Sequence, residues 1–304
     1  MPYHIGVDIG GTKTAVALFD GEMKMLCRDS FPTGSAGSCQ ALVQEIYRRT
    51  RALADGAGLK WEDMATVGVA SPGPLDPREG KIILIPTLGY RNEPILQYVR
   101  EQFGLPCTLR KDTDAAVYYE SRQGCGAGHR VVVYITISTG VGCGICIDGR
   151  LPEGEHFCAG EFGHIVVEPG GRPCACGSRG CLEAYASGTA IGAIASERYG
   201  EPLSCKEVFS RMRAGDPVAS GIIRHAGERL GFAAAALCQL LDPGVLVFGG
   251  SVTRDFDVLQ PIIERSLNEC LEKIPGRKIG IALSDPEGNQ TLIGAALYGK
   301  DFGR

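Results

Sequence analysis

Short apolar, β-branched runs recur along the chain and predict strands at 4–10 (HIGVDIG), 14–20 (TAVALFD), 66–73 (TVGVASPG), 131–138 (VVVYITIS), 144–148 (GICID) and 245–250 (VLVFGG). Between them apolar residues return about every 3.6 positions, the spacing of a helix with one buried face. Leu42, Val43, Ile46, Tyr47 and Leu53 form one such set, Ile95, Leu96, Val99 and Phe103 a second. Ile222, Ile223, Ala226, Leu230, Ala233, Leu237 and Leu241 form a third. Strands alternating with helices define an α/β class. One pattern occurs twice: DIGGTKTAVALFDG (8–21) lies over TISTGVGCGICIDG (136–149) at an offset of 128 residues. Each copy reads as strand, Gly/Thr turn, strand and Asp-Gly turn, which predicts two related halves that each open with a hairpin.

The length of 304 residues suffices for two moderate domains whose cores need no disulfides. A formal charge of −4, with no block of five basic residues, argues against nucleic acid or a membrane surface as the main partner. No apolar run reaches the ~18 residues of a membrane span, and the N-terminus enters a strand pattern without a signal stretch. A cytosolic protein is expected. Thirteen cysteines then mean free thiols plus a metal site, with Cys27, Cys107, Cys238 and Cys270 as small buried apolar groups.

In DIGGTK, Gly10 and Gly11 allow a tight turn, Thr12 adds a hydroxyl and Lys13 a cation, so the turn can cradle phosphate oxygens. It lacks the longer spacing and following helix of a P-loop, and alone such a turn is more often only a hairpin. The second copy, STGVGCG with Thr139, Gly140 and Gly142, makes a paired phosphate grip the better expectation. Asp8 would stand near the metal that accompanies the phosphates. The segment GEFGHIVVEPGGRPCACGSRGCLE (160–183) places His164, Cys174, Cys176 and Cys181 within eighteen positions. That set fits a closed, structural Cys3His zinc site. Zinc would also fix Glu161 and Glu183, two carboxylates that suit a polyhydroxyl ligand because each can accept hydrogen bonds from two or more hydroxyls. SPGP, with Ser71 and Gly73, and LVFGGSV, with Gly249 and Gly250, each end a strand where ligands of open α/β sheets bind. In LRKDTDAAVYYE (109–120), Asp112 follows Arg110 and Lys111 at a strand-to-helix junction. It reads either as a helix N-cap or as a catalytic base.

These motifs, in this order, resemble the ROK family of sugar kinases and sugar-responsive repressors, nearly end to end. The resemblance implies a two-lobed, actin-like (ribonuclease H-like) ATPase fold with a duplicated core and a structural zinc site. It further implies an ATP:hexose 6-phosphotransferase working with Mg2+ and ATP, and a homodimer. By the same resemblance Gly10, Gly11, Thr12, Lys13, Thr139 and Gly140 are phosphate-loop residues, with Asp8 beside them, and Gly249 and Gly250 belong to an adenosine pocket. Asp112 becomes the general base. Ser71, Gly73, Lys111, Glu161, His164 and Glu183 line the sugar, and His164 also ligates zinc. The implied lobes are 1–111 plus 287–304, which includes the returning helix NQTLIGAALYGKDF, and 112–286. ROK repressors carry a DNA-binding domain of about 70 residues before the sugar-binding core, and here HIGVDIGG comes first. The kinase is therefore expected over a sugar-binding regulator that lacks that domain.

The resemblance departs at two places. Family sugar kinases mostly have Asn where Lys111 stands, and tend to have Asn within PTLGY (86–90), where this chain has Thr87. An ammonium only donates, whereas the Asn amide both donates and accepts. Both departures bear on sugar choice. Allose kinases are similar in carrying a basic residue before the catalytic Asp, which implies a non-glucose hexose with allose as first guess. The other reading is that Lys111 points away from the sugar and pairs with Asp114.

Overall fold

A computed structural model describes residues 2–303. In chain order its regular elements are β1 (Tyr3–Ile9), β2 (Lys13–Phe19), β3 (Met25–Pro32), α1 (Cys39–Gly56), β4 (Met64–Ser71), β5 (Leu75–Asp76) and β6 (Lys81–Ile85). They continue with β7 (Tyr90–Glu93), α2 (Ile95–Phe103), β8 (Cys107–Lys111), α3 (Asp112–Arg122), β9 (Val131–Ile137) and β10 (Val141–Ile147). Then follow α4 (Glu183–Ala186), α5 (Gly188–Tyr199), α6 (Cys205–Arg213), α7 (Pro217–Leu241), β11 (Val245–Gly249), α8 (Phe256–Cys270), β12 (Gly280–Leu283) and α9 (Gln290–Phe302). Two compact units emerge: Met1–Gln123 with Gly149–Ala159 and Asn289–Arg304, and Gly124–Asp148 with Gly160–Gly288.

The first unit is a five-stranded sheet in the order β3-β2-β1-β4-β8, with a small antiparallel sheet β5-β6-β7 beside it. β1 pairs antiparallel with β2 and parallel with β4, which pairs parallel with β8. Period-two alternation sends Ile5, Val7, Ile9, Val16 and Leu18 into a core with Leu42, Ile46, Leu96 and Val99 of α1 and α2. The opposite alternation sends Ala17 and Phe19 against Tyr118 of α3 and Leu292 and Ala296 of α9. α9 lies directly on the sheet at Gly68 of β4, where an added Cβ would sit 1.8 Å from the Ala295 carbonyl oxygen. Only glycine admits that approach.

The second unit is a four-stranded sheet in the order β10-β9-β11-β12. β9 and β10 are an antiparallel hairpin, and β11 runs parallel to both β9 and β12. This is the order β2-β1-β4-β8 of the first unit, and β9 and β10 begin and end 128 residues after β1 and β2. The duplication expected from the sequence is thus a duplication of topology. The core joins Val133, Ile135 and Leu246 to Ile223, Leu230 and Leu237 of α7 and Ile263 of α8. α7 starts where Asp216 accepts from the Val218 and Ala219 N–H groups, with Pro217 in the first turn, and α6 starts with a capping box of Ser204 and Glu207.

The sequence placed a lobe boundary at residue 111. Here α3 packs with α9 in the first unit, where Gly294 would carry a Cβ 1.8 Å from the Ala115 carbonyl, and 149–159 joins the same unit. No helix among the described residues is long and apolar enough to cross a membrane.

Candidate active site

In the first unit three parallel strands end side by side, with Asp8 opposite Ala70, Ala70 opposite Arg110, and Ser71 opposite Lys111. Asp112 follows β8 as the first residue of α3. Lys111, not Asp112, occupies the N-cap position, because the backbone is already helical at Asp112. The Asp112 Oδ1 accepts from the Thr113 N–H at 2.7 Å, at the positive end of an eleven-residue helix. Ser71 is buried, its hydroxyl donating to the Pro72 carbonyl at 3.2 Å. Lys111 is also buried. Its methylenes pass over Gly73, where a Cβ would lie 3.3 Å from Lys111 Cδ, and its Nζ donates to the Ala159 carbonyl at 2.5 Å.

Two further carboxyls adjoin this corner. Burial, and then the Asp112 charge, push Asp8 up to about 7 against the opposing pull of Lys13. Burial likewise pushes Asp114 up to about 7, opposed by Lys111 and Arg110 and reinforced by Asp112 and Glu153. A raised folded-state value means that the folded chain keeps a proton the unfolded chain has released. Stability from such a group is present at about pH 4 and is lost as pH rises towards 7, by at most about 1.4 kcal/mol per pH unit. Asp114→Asn is expected to flatten the fall of Tm between pH 5 and 7. Thermal unfolding curves of equal slope in variant and parent would contradict that assignment.

The first hairpin turn carries Gly11, Thr12 and Lys13, all exposed. It is held from beneath by Thr33, a buried residue that the sequence reading did not single out. The Thr33 N–H donates to the Thr12 carbonyl at 3.0 Å and its hydroxyl to the Gly10 carbonyl at 2.7 Å. The hydroxyls of Thr14 and Thr33 meet at 2.9 Å. Two carbonyls of the turn are thus engaged from below.

The second hairpin turn is braced differently. The Glu183 Oε2, at the start of α4, accepts from the Val141 N–H at 2.9 Å and covers Gly140 so closely that a Cβ there would lie 2.5 Å away. Gly163 packs against the Val141 carbonyl, which brings Glu161 and His164 to the same neighbourhood of the second unit. Beside the turn opens a cleft of about 700 Å³, lined by Ser138, Thr139, Thr189, Phe209, Ser251 and Arg254 among others. Gly249 and Gly250 do not line it. They let β11 end against Tyr134 and Ile137, and Gly250 has φ 95°. The lining comes from the residues that follow them and from α5 and α6.

His164, Cys174, Cys176 and Cys181 converge, their ligand atoms all within 4.8 Å of one another. The His164 Nδ1–Cys174 Sγ and Cys176 Sγ–Cys181 Sγ distances are both 3.7 Å. The edge of a tetrahedron with Zn–S bonds of about 2.3 Å is about 3.8 Å, so the donor set fits. Bridges Val166–Cys181 and Pro173–Arg179 fold the loop back on itself, and the Leu182 N–H donates to the Ile165 carbonyl at 2.9 Å. Glu168 ties the loop to α7 through His225 at 2.7 Å and Arg229 at 2.8 Å, a link without a local sequence signal.

Two units of one strand order, each presenting a Gly/Thr hairpin turn, define the actin-like ATPase class. Within it the ROK family model matches residues 4–301, and the chain belongs to the ROK family. A glucokinase of Streptomyces coelicolor is 33% identical over 310 positions, covering 96% of each chain. Among solved structures, a ROK hexokinase from Thermus thermophilus superposes with a TM-score of 0.86 at 32% identity, covering 98% of both chains. A ROK glucokinase from Streptomyces griseus, in complex with glucose and AMPPNP, superposes with a TM-score of 0.80 at 32% identity, covering 99% of this chain and 100% of that one.

Proposed function

We propose that this chain is an ATP-dependent sugar kinase that phosphorylates the 6-hydroxyl of a hexose, with Asp112 as general base. The observation that carries this reading is the position of Asp112, at the carboxyl end of β8 and on the first turn of α3, in a chain of the ROK family. The sugar hydroxyl oxygen forms the new bond to the γ-phosphorus while the bond to the β–γ bridging oxygen breaks. ADP leaves, and Asp112 takes the hydroxyl proton. Gly10 to Lys13 and Thr139 with Gly140 hold the phosphates, and the cleft beside Ser251 takes the adenosine. Asp8 would hold Mg2+, which would neutralise phosphate charge when bound. Ser71, Gly73, Lys111, Glu161, His164 and Glu183 form the sugar side. Three thiolates and the His164 imidazole hold a structural Zn2+.

The sugar is set by Lys111 and Thr87, where family sugar kinases mostly carry or tend to carry Asn. A donor-only ammonium beside the base favours a hexose other than glucose, with allose first. The likeness to glucokinases makes glucose the competing substrate. Comparing kcat/KM over glucose, allose, mannose, fructose and N-acetylmannosamine decides between them, because a site built around one hydroxyl rejects the wrong epimer by orders of magnitude. A clear preference for glucose would overturn the assignment of the sugar and leave the kinase standing.

A further inference from the structure

Residues 149–159 are a strap without helix or strand that belongs to the first unit, although the chain on either side of it belongs to the second. Three cations hold it. Arg110 of β8 donates Nη1 to Glu153 Oε1 at 2.8 Å, and Arg78, between β5 and β6, donates Nε to Glu153 Oε2 at 3.2 Å. The Arg78 guanidinium also lies over the Phe157 ring, 5.1 Å from its centre. Lys111 donates to the Ala159 carbonyl at 2.5 Å, and the Ala159 N–H closes 153–159 into a loop on the Glu153 carbonyl at 3.4 Å.

Exposed ion pairs hold little, but the Arg110 and Glu153 side chains are only 15% and 23% exposed. Arg110 is fixed in turn, its guanidinium 4.4 Å over the Tyr298 ring and its Nη2 donating to the Tyr298 hydroxyl. Each Glu153 oxygen accepts from a different arginine, so one carboxylate joins β8, the β5–β6 turn and the strap. Arg110 and Lys111 are the two residues before Asp112, and the strap ends two residues before Glu161.

We propose that Glu153, with Arg78, Arg110 and Lys111, forms a latch that fixes the strap, and that Glu153 is a positioning residue for the sugar side of the reaction. It touches no reacting atom. It holds the segment that leads into Glu161 and His164, and it does so from the residues that precede the base. This role rests on the sugar-kinase reading above.

The test is Glu153→Gln, which keeps the side chain's shape and removes the charge that both arginines share, with exposed Glu155→Gln as its control in the same strap. Amide hydrogen exchange across 149–159 reads the latch, and steady-state kinetics of the whole chain read the positioning. In the Glu153 variant, exchange across the strap is expected to rise about tenfold and the sugar KM about tenfold, while the ATP KM stays within about twofold. The Glu155 variant is expected to match the parent in all three. Unchanged exchange overturns the latch. Faster exchange with an unchanged sugar KM, or with sugar and ATP KM raised alike, overturns the positioning role. A parent chain with no sugar-dependent turnover overturns the kinase reading and the positioning role together, and the exchange data then still decide the latch.

Discussion

Replacing Asp112 with Asn is expected to lower sugar-dependent ATP turnover by about 10²- to 10⁴-fold, the usual contribution of a positioned base. The substitution isolates proton transfer. An Asn side chain keeps an oxygen that accepts from the Thr113 N–H, so the start of α3 is retained, and the hydrophobic contacts of Ala115 and Tyr118 behind it are untouched. What is lost is a group able to take the hydroxyl proton as the new bond forms. The sugar KM is expected to change far less than kcat, because the role lies in the transition state. Removal of the Asp112 charge also removes one cause of the raised Asp8 value, so the pH profile of residual activity should move with it. Steady-state ADP release, beside Tm and metal content, reads all of this. Turnover within about tenfold of the parent would remove Asp112 from the mechanism.

Loss of a zinc ion bound at the Cys3His cluster is expected to be nearly as severe. Cys181 is fully buried and pairs with Val166 across the loop, and the next two residues are Leu182, bonded to the Ile165 carbonyl, and Glu183, which braces the second hairpin turn. Structural zinc sites supply folding energy outright, so removal of a bound ion would free the four side chains that close this loop. Cys181→Ser, or exhaustive chelation, is expected to release one equivalent of zinc per chain and to lower sugar-dependent turnover by about 10²-fold or more. Nucleotide binding in the cleft beside Ser251 is expected to persist, since its lining comes from α5, α6 and the segment after β11. Added zinc should restore the chelated chain. A zinc-free chain with full activity would show that the cluster has no part in holding the sugar side.

What the sequence made legible was local. The two hairpins stand out because alternating apolar residues flank Gly/Thr turns, and the 128-residue offset carries over to the strand boundaries themselves. The Cys3His cluster stands out because its three cysteines fall within eight positions, 174 to 181. What stayed hidden depends on pairs distant in sequence. Thr33 holds the Gly10–Thr12 turn from more than twenty residues away, and Lys111 reaches Ala159 across forty-eight. The cleft is lined by α5 and α6, whose place follows from packing on α7 rather than from any motif. β10 begins at Val141, three residues before the predicted strand, because the glycines at 142 and 144 weaken the local pattern while the ladder with β9 overrides it. Asp112, readable from the sequence either as an N-cap or as a base, lies one residue inside the helix, since Lys111 already has the extended backbone of a cap. The lobe boundary drawn at 111 follows the motif order, whereas the packing of α3 on α9 depends on glycine contacts that carry no local signal.

In the proposed reaction Asp112 accepts a proton from a sugar hydroxyl that attacks the γ-phosphate of ATP. Its most direct test is ADP release by the zinc-loaded chain with MgATP, with and without each hexose, in the parent and in Asp112→Asn. ADP release that depends on a hexose, matched by one equivalent of hexose 6-phosphate and lost in the variant, is the expected result. ADP release indifferent to every sugar, or a hexose phosphorylated equally well by Asp112→Asn, would contradict it.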